Sequence, residues 1–368
     1  MSWVWTEEQD ALASALRALL AKNIEPTVEA LTGPSTAAGG QVWTRLAAEI
    51  GVHAIGIPEE FGGVGSSFHE KAVVFAETGR ALAPRGLFST TALAAPAILL
   101  SGDRERCADF LPKLAEGSLS GTVALQEAAG EGSTPSAELV DGTWRVSGHM
   151  THVTDAADVE LMLLAARTDQ GSRLFAVDLA GDGVTLEIPP CLDLTRPLVE
   201  VRLIGAVGVP VGDAGRGDHI IAEVRGQAAV ALAFEQLGGA ARCVEMATEY
   251  ALSRTQFGRP IGSFQAIKHL LADVLVAVES ASTAAQHAAH AVEREDLDER
   301  AEAISVAQIL ASEAYTAAAG ANVQVHGGIG FTWEHPAHLF FRRATVSKAF
   351  LGSPSEYREA LAAKAFGG

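Results

Sequence analysis

Residues 250–265 read Tyr-Ala-Leu-Ser-Arg-Thr-Gln-Phe-Gly-Arg-Pro-Ile-Gly-Ser-Phe-Gln, at the point where one helical pattern stops and another begins. Arg254 carries a planar guanidinium that can bond two phosphate oxygens at once, and Phe257 offers an apolar face. The glycines and the proline of residues 258–262 break the helix and let the backbone approach a ligand. The segment therefore predicts a phosphate-contacting turn between two helices, although an isolated segment of this kind is also compatible with a solvated turn.

A second glycine-rich segment lies downstream, where residues 324–331 read Gln-Val-His-Gly-Gly-Ile-Gly-Phe. Its three glycines leave room for another molecule beside the backbone, and Gln324 can hydrogen-bond without carrying charge. We interpret His326 as a packed or hydrogen-bonded core residue rather than as a ligand. The segment predicts a second place of close backbone approach.

Taken together, the two segments resemble the acyl-CoA dehydrogenase family. In that family the matching Arg, Phe and Gln residues contact the pyrophosphate and adenosine of an FAD that is bound mainly by a neighbouring subunit. The resemblance thus implies FAD as cofactor, a homo- or hetero-oligomer, expected to be a tetramer, and FAD sites at subunit interfaces. The cofactor-binding residues that it implies in these segments are Arg254, Gln256, Phe257, Gln265, Gln324, Gly327 and Gly328.

The hydrophobic pattern changes twice along the 368 residues. Residues 1–116 have a helical period, residues 117–221 alternate with a period of two, and residues 222–368 are helical again. This order is that of the acyl-CoA dehydrogenase fold, an α+β architecture. The three segments are therefore expected to form an N-terminal helical domain, a middle β-barrel or sheet domain and a C-terminal four-helix bundle.

Individual residues support this division. Thr6 is placed to cap a first helix, whose apolar stripe includes Leu16 and Leu20. Val199, Val201 and Leu203 alternate with charged residues, as in a half-buried strand. A further apolar helical face consists of Leu270, Leu271, Val274, Leu275 and Val278.

Two segments that would face the flavin ring differ from the family pattern. The family has a strand and loop similar to Thr-Glu-Pro-x-x-Gly-Ser-Asp, where residues 126–133 read Gln-Glu-Ala-Ala-Gly-Glu-Gly-Ser. It also has Trp-x-Thr-Asn, where residues 152–155 read His-Val-Thr-Asp. The resemblance implies Gln126 and Thr154 as the flavin contacts, while the Thr, the Pro and the packing Trp of the family are lost.

The catalytic base is the largest departure. The reaction removes a proton α to the thioester, and this requires a carboxylate. The resemblance places the usual base at Leu351, or in a minority of the family at Ala228, and neither side chain can accept a proton. Glu235 lies two helical turns beyond Ala228 inside an apolar run, which makes it the remaining candidate base. The alternative is that Glu235 pairs with another helix or with Arg242.

The composition excludes several other classes of protein. The formal net charge of −18 disfavours binding to nucleic acid and to anionic membranes. The three cysteines form no metal-binding spacing, so no metal is expected. The N-terminal residues lack a basic and an apolar targeting region, and no long apolar run follows, so we expect a cytoplasmic protein.

The leading hypothesis is an acyl-CoA dehydrogenase, or the supporting subunit of one, that introduces an α,β double bond into an acyl-CoA and passes electrons to an electron-transfer flavoprotein. Within the family, the retained nucleotide contacts and the lost base resemble the supporting chain of an α2β2 assembly. A flavin-free structural paralogue is the alternative from another class, and a flavin oxygenase or nitro-compound oxidase is a third. A fatty-acyl or steroid substrate, a homotetramer or an α2β2 assembly, and independent FAD binding all stay open.

Overall fold

The computed structural model describes residues 5–25, 27–130, 134–294 and 296–367. Residues 131–133 of the predicted flavin-ring loop and the first four residues lie outside this part. The chain divides into two compact units. The first unit comprises residues 1–33, 68–83 and 229–368, and the second comprises residues 34–67 and 84–228, so the boundary falls inside one long helix.

Eleven α-helices occur in the described residues. Their bounds are α1 Glu7–Asn23, α2 Val28–Thr32, α3 Gln41–Arg45, α4 Phe68–Ala81, α5 Ala95–Ser101, α6 Arg104–Ala115, α7 Gly217–Ser253, α8 Gln265–Val292, α9 Leu297–His326, α10 Ala337–Phe350 and α11 Pro354–Phe366. Wider π turns cover Leu46–Ile50 and Ser89–Ala94, and tight 3₁₀ turns cover Pro34–Thr36, Val52–Ala54, Glu59–Phe61, Ile261–Ser263 and Gly327–Phe331.

The second unit contains a sheet that closes on itself. Its strands are β1 Gly121–Val123, β2 Ser136–Val140, β3 Thr143–Thr154, β4 Leu161–Thr168, β5 Gly171–Asp178, β6 Val184–Glu187 and β7 Leu198–Val211. They follow the order β1-β4-β2-β3-β7-β5, and β5 also pairs with β4, which closes a ring of five strands. β6 pairs with β7 on the outside of this order. The β-barrel or sheet predicted from the period-two pattern is thus confirmed.

The alternation in β7 shows why this segment forms a strand. Val199, Val201 and Leu203 are buried, while Arg202 between them is exposed, because successive side chains of a strand point to opposite faces. The buried face joins an apolar core with Val146, Phe175 and other residues of the neighbouring strands. β3 is irregular near its end, with register shifts on either side of residues 148–150, and it ends at Thr154.

The described residues of the first unit are helical, apart from connecting turns and one short hairpin. Its two strands, each of two residues, are β8 Thr255–Gln256 and β9 Arg259–Pro260. Thr6 caps α1 as predicted, with Gln9 completing a reciprocal capping box. The long helix α9 packs against α8, α10 and α11. Of the predicted stripe on α8, Val274 and Val278 are buried, whereas Leu275 is exposed.

The order of helices, a central sheet and C-terminal helices agrees with the predicted fold class. The domain bounds at residues 117 and 222 stay a prediction. Spanning a membrane requires a longer apolar stretch than any helix in the described part of the chain provides.

Candidate functional site

The predicted phosphate-contacting turn is a tight hairpin at the end of α7. Its two central residues, Phe257 and Gly258, both have positive φ, at 52° and 76°. This is the backbone of a type I′ turn, which strongly prefers Asn-Gly or Gly-Gly, so a phenylalanine there is strained by about 1–2 kcal/mol. Phe257 is nevertheless 91% exposed. The fold therefore holds an aromatic ring in solvent at an energetic cost.

The residues beside this ring are also exposed. Arg254 follows the last turn of α7, where its N–H donates to the Tyr250 carbonyl at 2.8 Å, and its own carbonyl accepts from the Ile261 N–H at 2.8 Å. Its backbone is thus fixed while its side chain faces solvent. Gln256 and Gln265 are exposed as well. The Gln256 side-chain amide donates to the Thr255 carbonyl at 3.0 Å.

The glycine-rich segment ends α9. Gln324 lies exposed in the last helical turn, and Gly327 leaves the helix with a φ of 63°. A Cβ added to Gly327 or Gly328 would meet no atom within 4 Å. A Cβ on Gly330 would instead lie 3.0 Å from His326 Cβ and from the Val323 carbonyl oxygen. Gly330 is therefore needed for internal packing, while Gly327 and Gly328 leave open space for another molecule.

Three rings connect the two segments inside the first unit. The Tyr250 ring stacks on His326 with centroids 4.4 Å apart, and His326 lies 4.3 Å from the His335 ring. His326 is buried, and its Nδ1 donates to the Asn322 carbonyl at 2.8 Å, as expected for a packed core residue. The stack itself was not predicted, because nothing periodic in the sequence relates residues 250, 326 and 335.

The predicted flavin-ring residues lie in the second unit. The Gln126 carbonyl accepts from the Thr151 N–H at 3.2 Å, which lays the 126–128 segment along β3. The Gln126 side chain is exposed and lines a cavity of about 260 Å³. Thr154 is 1% exposed, and its Oγ1 has no hydrogen-bond partner among the described residues. An unpaired buried hydroxyl is costly, so this atom fits a bond to a bound group such as a flavin.

The two usual base positions are apolar and buried. Leu351 ends α10 and is 3% exposed, and Ala228 lies in α7 with no exposed surface. Neither side chain has a titratable atom. The structure therefore offers no proton acceptor at either position.

Glu235 is also buried, and its carboxylate is engaged. The Arg343 Nη1 donates to Glu235 Oε1 at 2.8 Å, and both side chains are 6% exposed. Arg343 lies on α10, so the pairing with another helix is observed. Arg242 instead contacts Glu245 and Glu249 at 3.4 and 3.5 Å. The carboxylate is therefore buried and engaged in an ion pair.

The backbone near Glu235 explains why this pair is so deep. A Cβ on Gly79 of α4 would lie 2.0 Å from the Glu235 carbonyl oxygen, and a Cβ on Gly238 would lie 1.8 Å from the Ala76 carbonyl oxygen. The two glycines therefore let α4 and α7 cross at close range. Glu235 lies at this crossing, where water has little access. No cluster of three or more metal-binding side chains was found in the described residues.

Comparison with known proteins agrees with this geometry. The acyl-CoA dehydrogenase N-terminal domain matches residues 6–118 and the acyl-CoA dehydrogenase C-terminal domain matches residues 215–366. The chain is 35% identical over 362 residues to the acyl-CoA dehydrogenase IpdE2 of Mycolicibacterium smegmatis, covering 98% of this chain and 100% of that protein.

Solved structures agree as well. The ChsE4-ChsE5 complex from Mycobacterium tuberculosis superposes with a TM-score of 0.87 at 27% identity, over 100% of this chain and 99% of that chain. The Tcur3481-Tcur3483 steroid ACAD gives a TM-score of 0.86 at 28% identity, over 98% of this chain and 99% of that one. The chain therefore belongs to the acyl-CoA dehydrogenase family, whose members are FAD-dependent oxidoreductases.

Proposed function

We propose that this chain is the supporting subunit of an acyl-CoA dehydrogenase and presents FAD contacts to a neighbouring subunit that carries the catalytic base. One contrast supports the proposal most directly. The Arg254–Phe257 hairpin is intact and exposed, whereas both base positions hold buried apolar side chains. A chain that had lost its flavin role would have little reason to hold Phe257 in a strained turn.

The cofactor contacts divide by chemistry. Arg254 would bind the pyrophosphate through charge-assisted bonds, and Phe257 would cover the adenosine with its ring. Gln256, Gln265 and Gln324 would supply neutral hydrogen bonds to the ribose and the adenine. Gly327 and Gly328 would let the backbone approach the nucleotide. A bound FAD would supply the acceptor for the hydride that leaves the β carbon of the acyl thioester.

The second unit carries the flavin-ring part of the proposal. Thr154 offers a buried hydroxyl without a protein partner in the described residues, and Gln126 lies exposed beside a cavity. Thr154 would donate to a flavin ring held in this chain's own pocket, and Gln126 would lie along it. One flavin for every two chains, as expected below, would leave this pocket unused. His152 stands where the family has its packing Trp, and its φ is 55°. The packing against the flavin ring therefore differs from that of the family.

The α proton needs an acceptor that this chain does not offer at Leu351 or Ala228. We place that base in the partner. The alternative keeps Glu235 as the base, and this requires Arg343 to release its carboxylate during the reaction. Because both side chains are buried, such a release would break a close ion pair away from water, which is why the partner is favoured.

The relatives support a proposal for the substrate and for the assembly. An acyl-CoA thioester is the substrate general to the family, and one similar solved structure is a steroid ACAD, so a steroid or fatty acyl group is proposed here. Two of the similar structures join two differently named chains, which supports an α2β2 tetramer over a homotetramer. An electron-transfer flavoprotein is the proposed electron acceptor, and the cytoplasm the proposed location.

The test is expression of the chain alone and together with candidate dehydrogenase partners, followed by flavin stoichiometry and native mass. We expect little flavin and no turnover from the chain alone. We expect one flavin for every two chains, and enoyl-CoA formation, from a mixed assembly. Enoyl-CoA rather than hydroxylated or oxidised product separates a dehydrogenase from an oxygenase on the same fold.

Two results would contradict the proposal. Turnover by the chain alone with one flavin per chain would make it a complete enzyme. A mixed assembly whose flavin content and turnover do not change when this chain carries Arg254→Ala would support the flavin-free structural paralogue.

A further inference from the structure

The two cofactor-contact segments of the first unit come from distant parts of the sequence. The hairpin follows Tyr250 at the end of α7, and the glycine-rich turn follows His326 at the end of α9. Their proposed contact groups are exposed side chains and open glycine backbone, which have little packing to fix their spacing. A dinucleotide that touches both segments needs that spacing to be constant.

The ring stack lies between these two segments. Tyr250 belongs to a small apolar cluster with Ala247, Ala251 and Val325, which anchors the first ring to both helices. Arg254 lies one helical turn after Tyr250 and is bonded to its carbonyl at 2.8 Å. His326 directly precedes Gly327. Each contact segment is therefore tied by its backbone to one ring of the stack.

The other two rings are held in defined orientations. The His326 Nδ1 donates to the Asn322 carbonyl at 2.8 Å, which fixes the ring against α9. The His335 Nδ1 accepts from the Ala337 N–H at 3.2 Å, at the start of α10. These two bonds put hydrogen on Nδ1 of one ring and leave Nδ1 of the other bare, so two neutral tautomers lie side by side.

Both rings stay neutral near pH 7. Burial lowers the pKa of His326. Burial, followed by the nearby His326, His338 and Arg242, lowers the pKa of His335 to about 4. Two imidazolium rings 4.3 Å apart would repel each other, so neutrality is a condition for the stack.

We infer that Tyr250, His326 and His335 are positioning residues, whose stacked rings set the distance between the Arg254 hairpin and the Gly327 turn. This inference rests on the proposed function, because it assumes that both segments contact one FAD. Flat rings with few rotatable bonds suit the task, since a stack transmits orientation as well as distance. The rings need not touch the cofactor.

The experiment measures FAD affinity and melting temperature of the mixed assembly with variants of this chain. Tyr250→Leu removes a ring, and Tyr250→Phe keeps it. His326→Phe keeps the ring and removes the bond to Asn322. We expect Tyr250→Leu to weaken FAD binding tenfold or more, and Tyr250→Phe to stay within about threefold of wild type.

A matched control exists in the same unit. His69 and His290 form a ring pair with the same 4.3 Å spacing, away from both contact segments. His290→Leu should leave FAD affinity unchanged. The two variants are compared at conditions where each has lost the same amount of stability, measured by melting temperature. If the positioning role is right, Tyr250→Leu lowers FAD affinity more than His290→Leu does.

The outcomes test the positioning role of the rings and the cofactor site separately. If Arg254→Ala weakens FAD binding and Tyr250→Leu does not, the positioning role is wrong and the cofactor site stands. If neither variant changes FAD binding, the cofactor site itself is wrong. If Tyr250→Leu does not fold, the test uses His335→Leu instead, because the His335 ring is only half-buried. An FAD affinity equal to that of the wild type in His335→Leu would overturn the inference.

Discussion

Phe257 and Glu235 lie in the same compact unit and depart in opposite ways from the usual pattern of buried apolar and exposed charged side chains. Phe257 is an aromatic residue that the fold leaves 91% exposed, and Glu235 is an acidic residue whose side chain the fold leaves 6% exposed. The exposed ring occupies a strained turn, and its ring contact within its own chain is an edge-on one with Phe264, with centroids 6.1 Å apart. The buried carboxylate joins α7 to α10 through Arg343 and so belongs to the core.

The comparison teaches which departure from the expected pattern marks function. A buried ionisable group is often interpreted as catalytic, but here the carboxylate charge is matched by a buried arginine. Phe257 makes an edge-on ring contact with Phe264, but that contact leaves the ring 91% exposed in a backbone conformation that costs energy. We therefore propose the exposed ring, rather than the buried carboxylate, as the ligand-contacting residue.

Breaking the buried pair should have the largest effect. Glu235→Gln removes the carboxylate charge that pairs with the buried Arg343 guanidinium, and we expect a loss of about 3–5 kcal/mol in the free energy of unfolding. The double replacement Glu235→Leu with Arg343→Met removes both charges, and should recover most of that loss. Urea unfolding of the single and double variants measures the difference.

The same double variant tests the catalytic role without the complication of unfolding. If the folded double variant supports normal turnover in the mixed assembly, Glu235 is not the base. Loss of turnover with FAD retained would assign the proton transfer to Glu235, and would place that residue on the functional side of the comparison after all.

The dependence of stability on acid pH is a second way to distinguish buried structural groups from groups that face a ligand. Burial lowers the pKa of His53 to about 4, and neither ring nitrogen has a hydrogen-bond partner in the described part of the chain. The folded pKa lies below the unfolded value of about 6.5, so the unfolded state binds the proton more readily. Stability is then complete above pH 6.5 and falls by about 3 kcal/mol as the pH drops toward 4.

His53→Phe should remove this acid-dependent part, because the ring contact with Trp43 at 4.1 Å is kept while the titrating group is lost. The check is the difference in unfolding free energy between pH 7.5 and pH 4.5 for the two proteins. Equal differences would show that His53 is not buried and neutral. Because His53 belongs to the second unit, its replacement should leave the Arg254 contact unaffected.

Arg254→Ala tests the exposed side of the comparison. Loss of a charge-assisted bond to the pyrophosphate should cost about 1.5–3 kcal/mol of FAD binding, which is tenfold or more in affinity. The unfolding free energy should barely change, since the side chain is exposed. Arg104→Ala is the matched control, because Arg104 is a surface arginine that pairs with Glu60 at 2.7 Å. A similar loss of FAD in both variants would point to general charge rather than a specific contact.

Much of the fold was accessible from the sequence because its periods are clean. Thr6 caps the first helix, and Val199, Val201 and Leu203 alternate into the sheet core, as local chemistry predicts. The division into compact units was not accessible in this way. Residues 68–83 join residues 229–368 in one unit, and only contacts between distant segments reveal such a grouping.

The candidate site likewise has parts that follow from local sequence and parts that depend on contacts between distant segments. The exposed hairpin follows from Gly258 and Pro260, which break a helix locally. The partner of Glu235 does not, because Arg343 lies 108 residues away and no local rule selects it over Arg242. The stacking of His326 with Tyr250 and His335 is likewise a long-range result. The identities of the contact residues stay predictions until flavin binding is measured.

The smallest expected effect gives the sharpest comparison, because two glycines of the α9 region lie in equally open space. A Cβ on Gly320 and a Cβ on Gly328 would each meet no atom within 4 Å, and neither residue has positive φ. Gly320 is inside the helix, so Gly320→Ala should stabilise the fold by about 0.5–1 kcal/mol and leave FAD affinity unchanged. Gly328 lies in the proposed contact turn, so Gly328→Ala should keep the melting temperature and weaken FAD binding, because the new methyl group occupies space that the nucleotide needs. Titration of FAD into both variants decides the matter. Equal FAD affinities would mean that the open space beside Gly328 faces solvent alone, and that the contrast between ligand-facing and structural residues does not extend to this turn.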